Sequence, residues 1–177
     1  MSSHALTLFL QRKTSNTYKL MSNTPIFHDF MGLLERITDN TFDYLSNLEN
    51  VDKKNLPAAI KKCMYVDGHN FYIIEIEEFY KELQQIIESY NDELKCLCKA
   101  LGFTKTVVSD GEEIILGVIR GNSTLPVNAD LVAECIRKRN KAMSAEYIQG
   151  LIQAWLCEHD HLHYHMNCFR FIAAYDF

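Results

Sequence analysis

Residues 77–120 decide the fold of this chain and read EEFYKELQQIIESYNDELKCLCKALGFTKTVVSDGEEIILGVIR. Apolar side chains recur there at spacings of three and four residues, which is typical of one face of an α-helix. They are Phe79, Leu83, Ile86, Ile87, Tyr90, Leu94, Leu97, Cys98 and Leu101. Gly102 follows them as a helix stop. The pattern therefore predicts a long amphipathic helix that ends at Gly102.

A β-hairpin is predicted after this helix. Asp110-Gly111 has the chemistry of a two-residue turn between two runs rich in β-branched residues. The second run, 112–119, has apolar residues at successive positions, so both of its faces are apolar. Gly117 within it marks either a bulge or the close approach of another backbone. Such a strand needs cover on both sides.

The segment 71–76 has the same two-sided character, because Phe71 and Ile73 alternate with Tyr72 and Ile74. We expect the long helix to cover one face of these strands. The second face is covered either by other helices of this chain or by a separate protein. Under the second alternative, five residues are the predicted contacts with a partner: Tyr72, Ile74, Ile115, Gly117 and Ile119.

Composition indicates a globular protein. The chain has 177 residues, 47% of them hydrophobic and 23% charged, which predicts a single domain over residues 1–177. Its net charge of −5 argues against nucleic acid as a partner. No segment is long and apolar enough to predict membrane insertion, and Arg12-Lys13 follows the short apolar run at 6–10, the reverse of a secretory signal. Six cysteines without a disulfide pattern favour free thiols and a cytoplasmic location.

The remaining segments complete an α+β prediction. Alternating leucines at 6–10 predict a strand, which a polar turn connects to a second strand at 18–20. Thr24-Pro25 predicts the start of a helix through about Arg36, and further helices are expected at 42–48 and 57–62. Asn128 is expected to cap a helix that includes Met143, and Ser144 to start the next one. The fold class is thus an antiparallel sheet of three or more strands packed with four to six helices.

Four histidines near the C-terminus form the main candidate for metal chemistry: His159, His161, His163 and His165. Imidazole is a preferred zinc ligand, and two histidines two residues apart on a strand can chelate one ion. The spacing matches no established zinc motif. A second interpretation is a pH sensor, because histidine gains charge as the pH falls toward 5.

Arg137, Lys138 and Arg139 are a candidate contact for an acidic partner. The alternative is a solvated helix end, where positive charge is favoured anyway. Ser109 and Ser144 lack a glycine-rich elbow, and nothing resembles a phosphate loop. The sequence therefore predicts a protein that is not an enzyme and has no cofactor.

Residues 93–120 resemble the IcmS family of small acidic adaptors in type IVB secretion systems. The resemblance rests on the run from Glu93 to Phe103, the acidic turn, and the strand Ile114-Ile115-Leu116-Gly117-Val118-Ile119-Arg120. The similar segment 127–134 extends it, and the histidine-rich tail lies outside it.

This resemblance implies a non-enzymatic, chaperone-like adaptor. Its partners would be a second small adaptor, the cytoplasmic coupling ATPase of the secretion channel, and effector proteins for export. A homodimer is expected when the protein is alone. Two alternatives remain: a zinc-binding protein or metal-dependent enzyme that uses the histidine tail, and a self-contained secreted effector domain.

Overall fold

A five-stranded antiparallel sheet with the strand order β2-β1-β5-β4-β3 organises the fold. The structure is a computed structural model that describes residues 4–100, 129–159 and 165–176, with only the backbone at positions 98, 100, 129 and 159. The strands are β1 (Leu6–Thr14), β2 (Thr17–Leu20), β3 (Glu49–Asn50), β4 (His69–Glu75) and β5 (Phe169–Asp176). The predicted α+β class is confirmed. The hairpin expected at 103–119 lies outside the described residues.

Five α-helices accompany the sheet in the described ranges: α1 (Met31–Ile37), α2 (Thr41–Ser46), α3 (Ala58–Cys63), α4 (Ile76–Ala100) and α5 (Ala129–His159). Short 3-10 turns lie at Lys53–Asn55, Val66–Gly68 and Met166–Cys168. The predicted long helix is confirmed as α4, and the helices expected near 42–48 and 57–62 are confirmed as α2 and α3.

The chain divides into two compact units, and the division falls within α4 and α5. The first unit comprises residues 1–81 and 148–177 and contains the whole sheet. The second comprises residues 82–147. In the second unit, Lys138 Nζ on α5 forms an ion pair with Glu93 Oε2 on α4 at a distance of 3.3 Å.

One face of the sheet is covered by the segment that contains α3. Phe9, Phe71 and Ile172 from three strands form a buried cluster with Leu56 and Ile60. Ile60 is the buried residue of α3, and Pro57 immediately precedes that helix. Each buried aliphatic or aromatic side chain of this kind stabilises the fold by roughly 1.5–3 kcal/mol relative to exposure.

The opposite face is covered by aromatic side chains of the same unit. Trp155 of α5 contacts Phe171 of β5, with ring centroids 5.8 Å apart. Phe30 and Phe79 pack edge to face at 6.2 Å, and both are buried. The prediction that β4 is apolar on both faces is confirmed, since Phe71 and Ile74 are 2% and 1% exposed. Residues of this chain already provide that cover.

Two predicted helix boundaries are wrong. Residues 25–30 are not helical, because their backbone is hydrogen-bonded to β1. The Ile26 N–H donates to the Leu8 carbonyl at 2.8 Å, and the Leu8 N–H donates to the Phe27 carbonyl at 2.9 Å. Ser144 does not start a helix either. It lies inside α5, where its hydroxyl donates to the Asn140 carbonyl at 3.1 Å.

Candidate protein-binding site

An open groove of about 400 Å³ lies at one end of the sheet in the first unit. We call it the aromatic groove, and its lining residues are His4, Phe42, Asp43, Leu45, Ser46, Asn70, Tyr72 and Tyr175. Phe42 is 62% exposed, although phenylalanine is among the residue types most often buried. The groove therefore combines an accessible aromatic side chain with room for a further apolar group.

Strand register places the floor of the aromatic groove. Tyr72 of β4 lies opposite Ala173 of β5, and Asn70 lies opposite Tyr175. Residues directly opposite each other in an antiparallel pair project from the same face of the sheet. Tyr72 and Tyr175 are therefore on one face. Because Ala173 has a small side chain, it leaves space beside the half-buried Tyr72 ring.

The start of α2 places the wall of the groove. The Asn40 side chain accepts a hydrogen bond from Asp43 N–H at 3.2 Å and so caps the helix. Leu45 then points inward with 2% exposure, whereas Phe42 remains outside. The cap fixes the first turn of α2, and with it the position of the Phe42 side chain.

Aromatic contacts join this wall to the floor. The rings of Phe42 and Tyr175 pack edge to face, with centroids 6.1 Å apart and an interplanar angle of 88°. His4 stacks on the Tyr175 ring at 5.7 Å and packs edge to face against Phe42 at 6.3 Å. Such pairs contribute about 0.5–1.5 kcal/mol beyond the area that they bury. The groove is thus a packed aromatic surface even without an occupant.

Carboxylates surround the aromatic groove. Asp43 lines it. Burial, followed by the proximity of Tyr72, Asp176 and Glu35, raises the pKa of the Tyr175 phenol above its ordinary value. None of the groove-lining residues is a lysine or an arginine. An apolar side chain flanked by positive charge is therefore the complementary ligand.

The structure brings only part of the predicted contact set to this site. Tyr72 lines the groove. Ile74 does not, because its side chain is 1% exposed and packed within the sheet, so it is not available to a partner. Ile115, Gly117 and Ile119 lie outside the described residues. Phe42 and His4 were missed by the sequence interpretation.

Two residues of the basic run on α5 are paired with carboxylates. Arg137 makes two hydrogen bonds to the Glu134 carboxylate, at 2.7 and 3.0 Å. These bonds are the main reason that the pKa of Glu134 is lowered. Lys138 is paired with Glu93 at 3.3 Å. The Arg139 Nε is buried and has no hydrogen-bond partner among the described residues.

These contacts follow from helix geometry, since Glu134 lies three residues before Arg137 and four before Lys138, within 3.8 Å of both cations. Arg137 and Lys138 thus both form ion pairs with carboxylates of the second unit. A contact between this run and an acidic partner stays a prediction.

A separate apolar pair lies on α5 within the second unit. Met143 and Tyr147 are 53% and 57% exposed. They are four residues apart and hence neighbours on one side of the helix. The sequence placed Met143 on a helix, and α5 confirms that prediction.

The histidine tail is only partly described. His165 is exposed and immediately precedes the 3-10 turn at Met166–Cys168, whereas His161 and His163 lie outside the described residues. Over the described ranges, no group of three or more histidine, cysteine, aspartate or glutamate residues is arranged to hold a metal ion. The cysteines whose side chains are described, Cys63, Cys96, Cys135, Cys157 and Cys168, are free thiols.

Comparisons with protein families, with curated proteins and with solved structures find no match for this chain. None of the described helices combines the length and the apolar character that crossing a bilayer requires. The fold places the chain in the α+β class, and its site is an open aromatic groove bordered by carboxylates.

Proposed function

We propose that this protein is a non-enzymatic adaptor that binds other proteins through the aromatic groove. The observation that carries the proposal is the 62% exposure of Phe42 beside Tyr72 and Tyr175. Aromatic side chains that are held in place and remain accessible are the usual anchors of protein interfaces. The partner presents an apolar side chain to the groove and a lysine or arginine to the surrounding carboxylates.

Electrostatics supports the same type of partner. The chain has a net charge of −5, and Asp43, Asp176 and Glu35 lie at or near the aromatic groove. Complementary charge accelerates association and disfavours partners of the same sign. A basic, partly apolar segment of another protein is therefore favoured over an acidic segment at this site.

The resemblance of residues 93–120 to the IcmS family supports a more specific proposal. The adaptor then works in a type IVB secretion system, where it pairs with a second small adaptor and presents effector proteins to the coupling ATPase. The exposed pair Met143 and Tyr147 offers a second apolar contact for such a subunit.

Co-purification from the native host tests the proposal. Wild-type protein is compared with Phe42→Asp, which places a charge in the groove, and with Tyr65→Asp as the matched control. Tyr65 is 72% exposed and does not line the aromatic groove. We expect one set of partners with wild type and Tyr65→Asp, and its loss with Phe42→Asp, while circular dichroism shows that all three proteins are folded.

Recovery of a coupling ATPase or a small adaptor among those partners supports the secretion proposal. Partners of another kind that are still lost with Phe42→Asp support the groove and contradict the secretion system. Equal recovery with Phe42→Asp and wild type contradicts the groove itself.

A further inference from the structure

A second site lies on the other face of the sheet, at the β2 edge. It is a groove of about 550 Å³ that includes Tyr18, Leu20, Asn55, Pro57 and Arg170. None of its lining residues belongs to the aromatic groove, and none is a carboxylate. We call it the edge groove.

Arg170 is held in a fixed orientation within the edge groove. Its Nε donates to the Gln11 side-chain carbonyl at 2.9 Å, and Gln11 is 3% exposed. Its guanidinium carbon lies 3.6 Å from the centroid of the Tyr18 ring. A planar guanidinium that is stacked and hydrogen-bonded in this way keeps its outer N–H groups in one plane, ready for two parallel bonds to a carboxylate.

This cation has no acidic counterpart in the described structure. Glu75 lies opposite Arg170 in the register of β4 and β5, yet the two side chains form no ion pair and Glu75 is exposed. None of the ion pairs found among the described residues includes Arg170. An arginine oriented on one side and unpaired on the other is suited to an anionic ligand.

The surrounding edge is basic although the chain as a whole is acidic. Residues 4–28 contain Arg12, Lys13 and Lys19 and no aspartate or glutamate. Lys13 and Lys19 are exposed, and Lys19 also lines the edge groove. This hairpin therefore attracts an acidic segment, whereas the aromatic groove favours a basic one.

The backbone of β2 supplies the second half of the site. Met21 N–H donates to the Leu10 carbonyl at 2.9 Å, and the β1–β2 register continues through Leu20 opposite Gln11. Hydrogen-bonded and non-hydrogen-bonded pairs alternate along an antiparallel ladder. The N–H and C=O groups of Tyr18 and Leu20 therefore point away from β1. In the described structure no strand pairs with β2 on that side.

We propose that the edge groove binds an extended acidic peptide segment of another protein, which adds as a strand beside β2. The backbone of Tyr18 and Leu20 pairs with the peptide, and a glutamate side chain of the peptide reaches across to Arg170. Strand addition of this kind takes its affinity from main-chain bonds and its specificity from alternate side chains. Free backbone groups beside the cation favour a peptide over a nucleic acid.

Fluorescence anisotropy with the full chain tests this site. The probe is a labelled peptide of sequence Thr-Glu-Val-Glu-Val-Thr. The controls are the same peptide with lysine for both glutamates, the same peptide with alternate backbone amides N-methylated, and a labelled uridine hexanucleotide. We expect measurable binding of the acidic peptide only, which weakens as sodium chloride is raised from about 0.05 to 0.5 M.

Two variants locate the binding. Arg170→Gln keeps a side chain that can bond to Gln11 but removes the charge, and we expect affinity to fall by about tenfold or more. Leu20→Pro removes an outward N–H and is expected to abolish binding. Phe42→Ala, in the aromatic groove, is expected to leave it unchanged.

Several results overturn the proposal. The first is no binding of the acidic peptide to wild type, and the second is equal affinity of Arg170→Gln and wild type for that peptide. The third is equal affinity of wild type for the N-methylated and the unmodified peptide, a comparison that does not depend on the fold of any variant. Tighter binding of the uridine hexanucleotide that Arg170→Gln abolishes would assign the groove to nucleic acid instead. The aromatic groove is tested separately by co-purification with Phe42→Asp, so failure of the edge groove is distinguishable from failure of the aromatic groove.

Discussion

Phe42 of α2 and Tyr175 of β5 pack edge to face at 6.1 Å, yet Tyr175 is 3% exposed and Phe42 is 62% exposed. One ring therefore belongs to the interior, and the other is held on the surface by it. A surface aromatic that is already fixed loses little conformational freedom when a partner binds. This relationship separates the role of Phe42 from that of the buried phenylalanines.

The stability cost of truncation should show this separation. Phe30→Ala removes a fully buried side chain and should lower the free energy of unfolding by about 3–5 kcal/mol. Phe42→Ala should lower it by about 1 kcal/mol, since most of its ring is already in water. Urea unfolding of the two variants beside wild type measures both. Similar losses for the two would mean that Phe42 is a core residue.

The pair of Glu134 and Arg137 should make a pH-dependent contribution to stability. The pKa of Glu134 is lowered in the folded state, chiefly by the hydrogen bonds from Arg137. The contribution is therefore fully present above the ordinary value of 4.5 and is lost as the pH falls below it through the folded-state pKa.

Thermal unfolding between pH 7 and pH 3 checks this sign. Wild type should be more stable than Glu134→Gln at pH 7, and the difference should narrow below about pH 4.5. Glu146→Gln is the matched control, because Glu146 is exposed on the same helix and makes none of the ion pairs described. A difference that widens with acidification would contradict the lowered pKa.

Lys138 and Glu93 should be energetically coupled within the second unit. Their side chains are 25% and 20% exposed and lie 3.3 Å apart, so the pair is screened less than a fully exposed one. A double-mutant cycle with Lys138→Met and Glu93→Gln should give a coupling of roughly 0.5–1 kcal/mol. A coupling of zero would show that the pair does not join α4 to α5.

Self-association should depend on Met143 and Tyr147. Two exposed apolar side chains on one side of a helix offer a contact to a second copy when no partner is present. Sedimentation velocity should show dimer for wild type and a shift to monomer for the double variant Met143→Gln, Tyr147→Gln, with unchanged thermal unfolding. A wild-type monomer at all concentrations, or a dimer that the variant leaves intact, would contradict this role.

The local sequence pattern predicts those helices and strands in which apolar side chains recur at one regular spacing. The stripe of α4 and the alternation of Leu6, Leu8 and Leu10 in β1 are of this kind, and both elements are confirmed. The helix expected at Pro25 is wrong because Leu8 and Ile26 form a backbone contact that no local signal contains. Ser144 resembles a cap but continues α5, since its hydroxyl bonds back to Asn140.

The central strand β5 was not predicted. Its sequence, FRFIAAYD, includes two alanines, which are weak strand formers, but both are buried between β1 and β4. Phe169 and Phe171 in alternation were the available signal. Because β5 lies beside β4 and contributes Tyr175 to the aromatic groove, missing it also hid that groove. Tyr72 was identified, whereas Phe42 and Tyr175 join it only through tertiary packing.

Site-specific photocrosslinking tests the central claim most directly. A benzoylphenylalanine at position 42 is compared in the native host with the same residue at position 65. The natural side chains at these positions, Phe42 and Tyr65, are both aromatic and exposed. We predict a discrete covalent adduct with another protein from position 42 and none from position 65. The same adducts from both positions, or none from position 42, would contradict the aromatic groove as a protein-binding site.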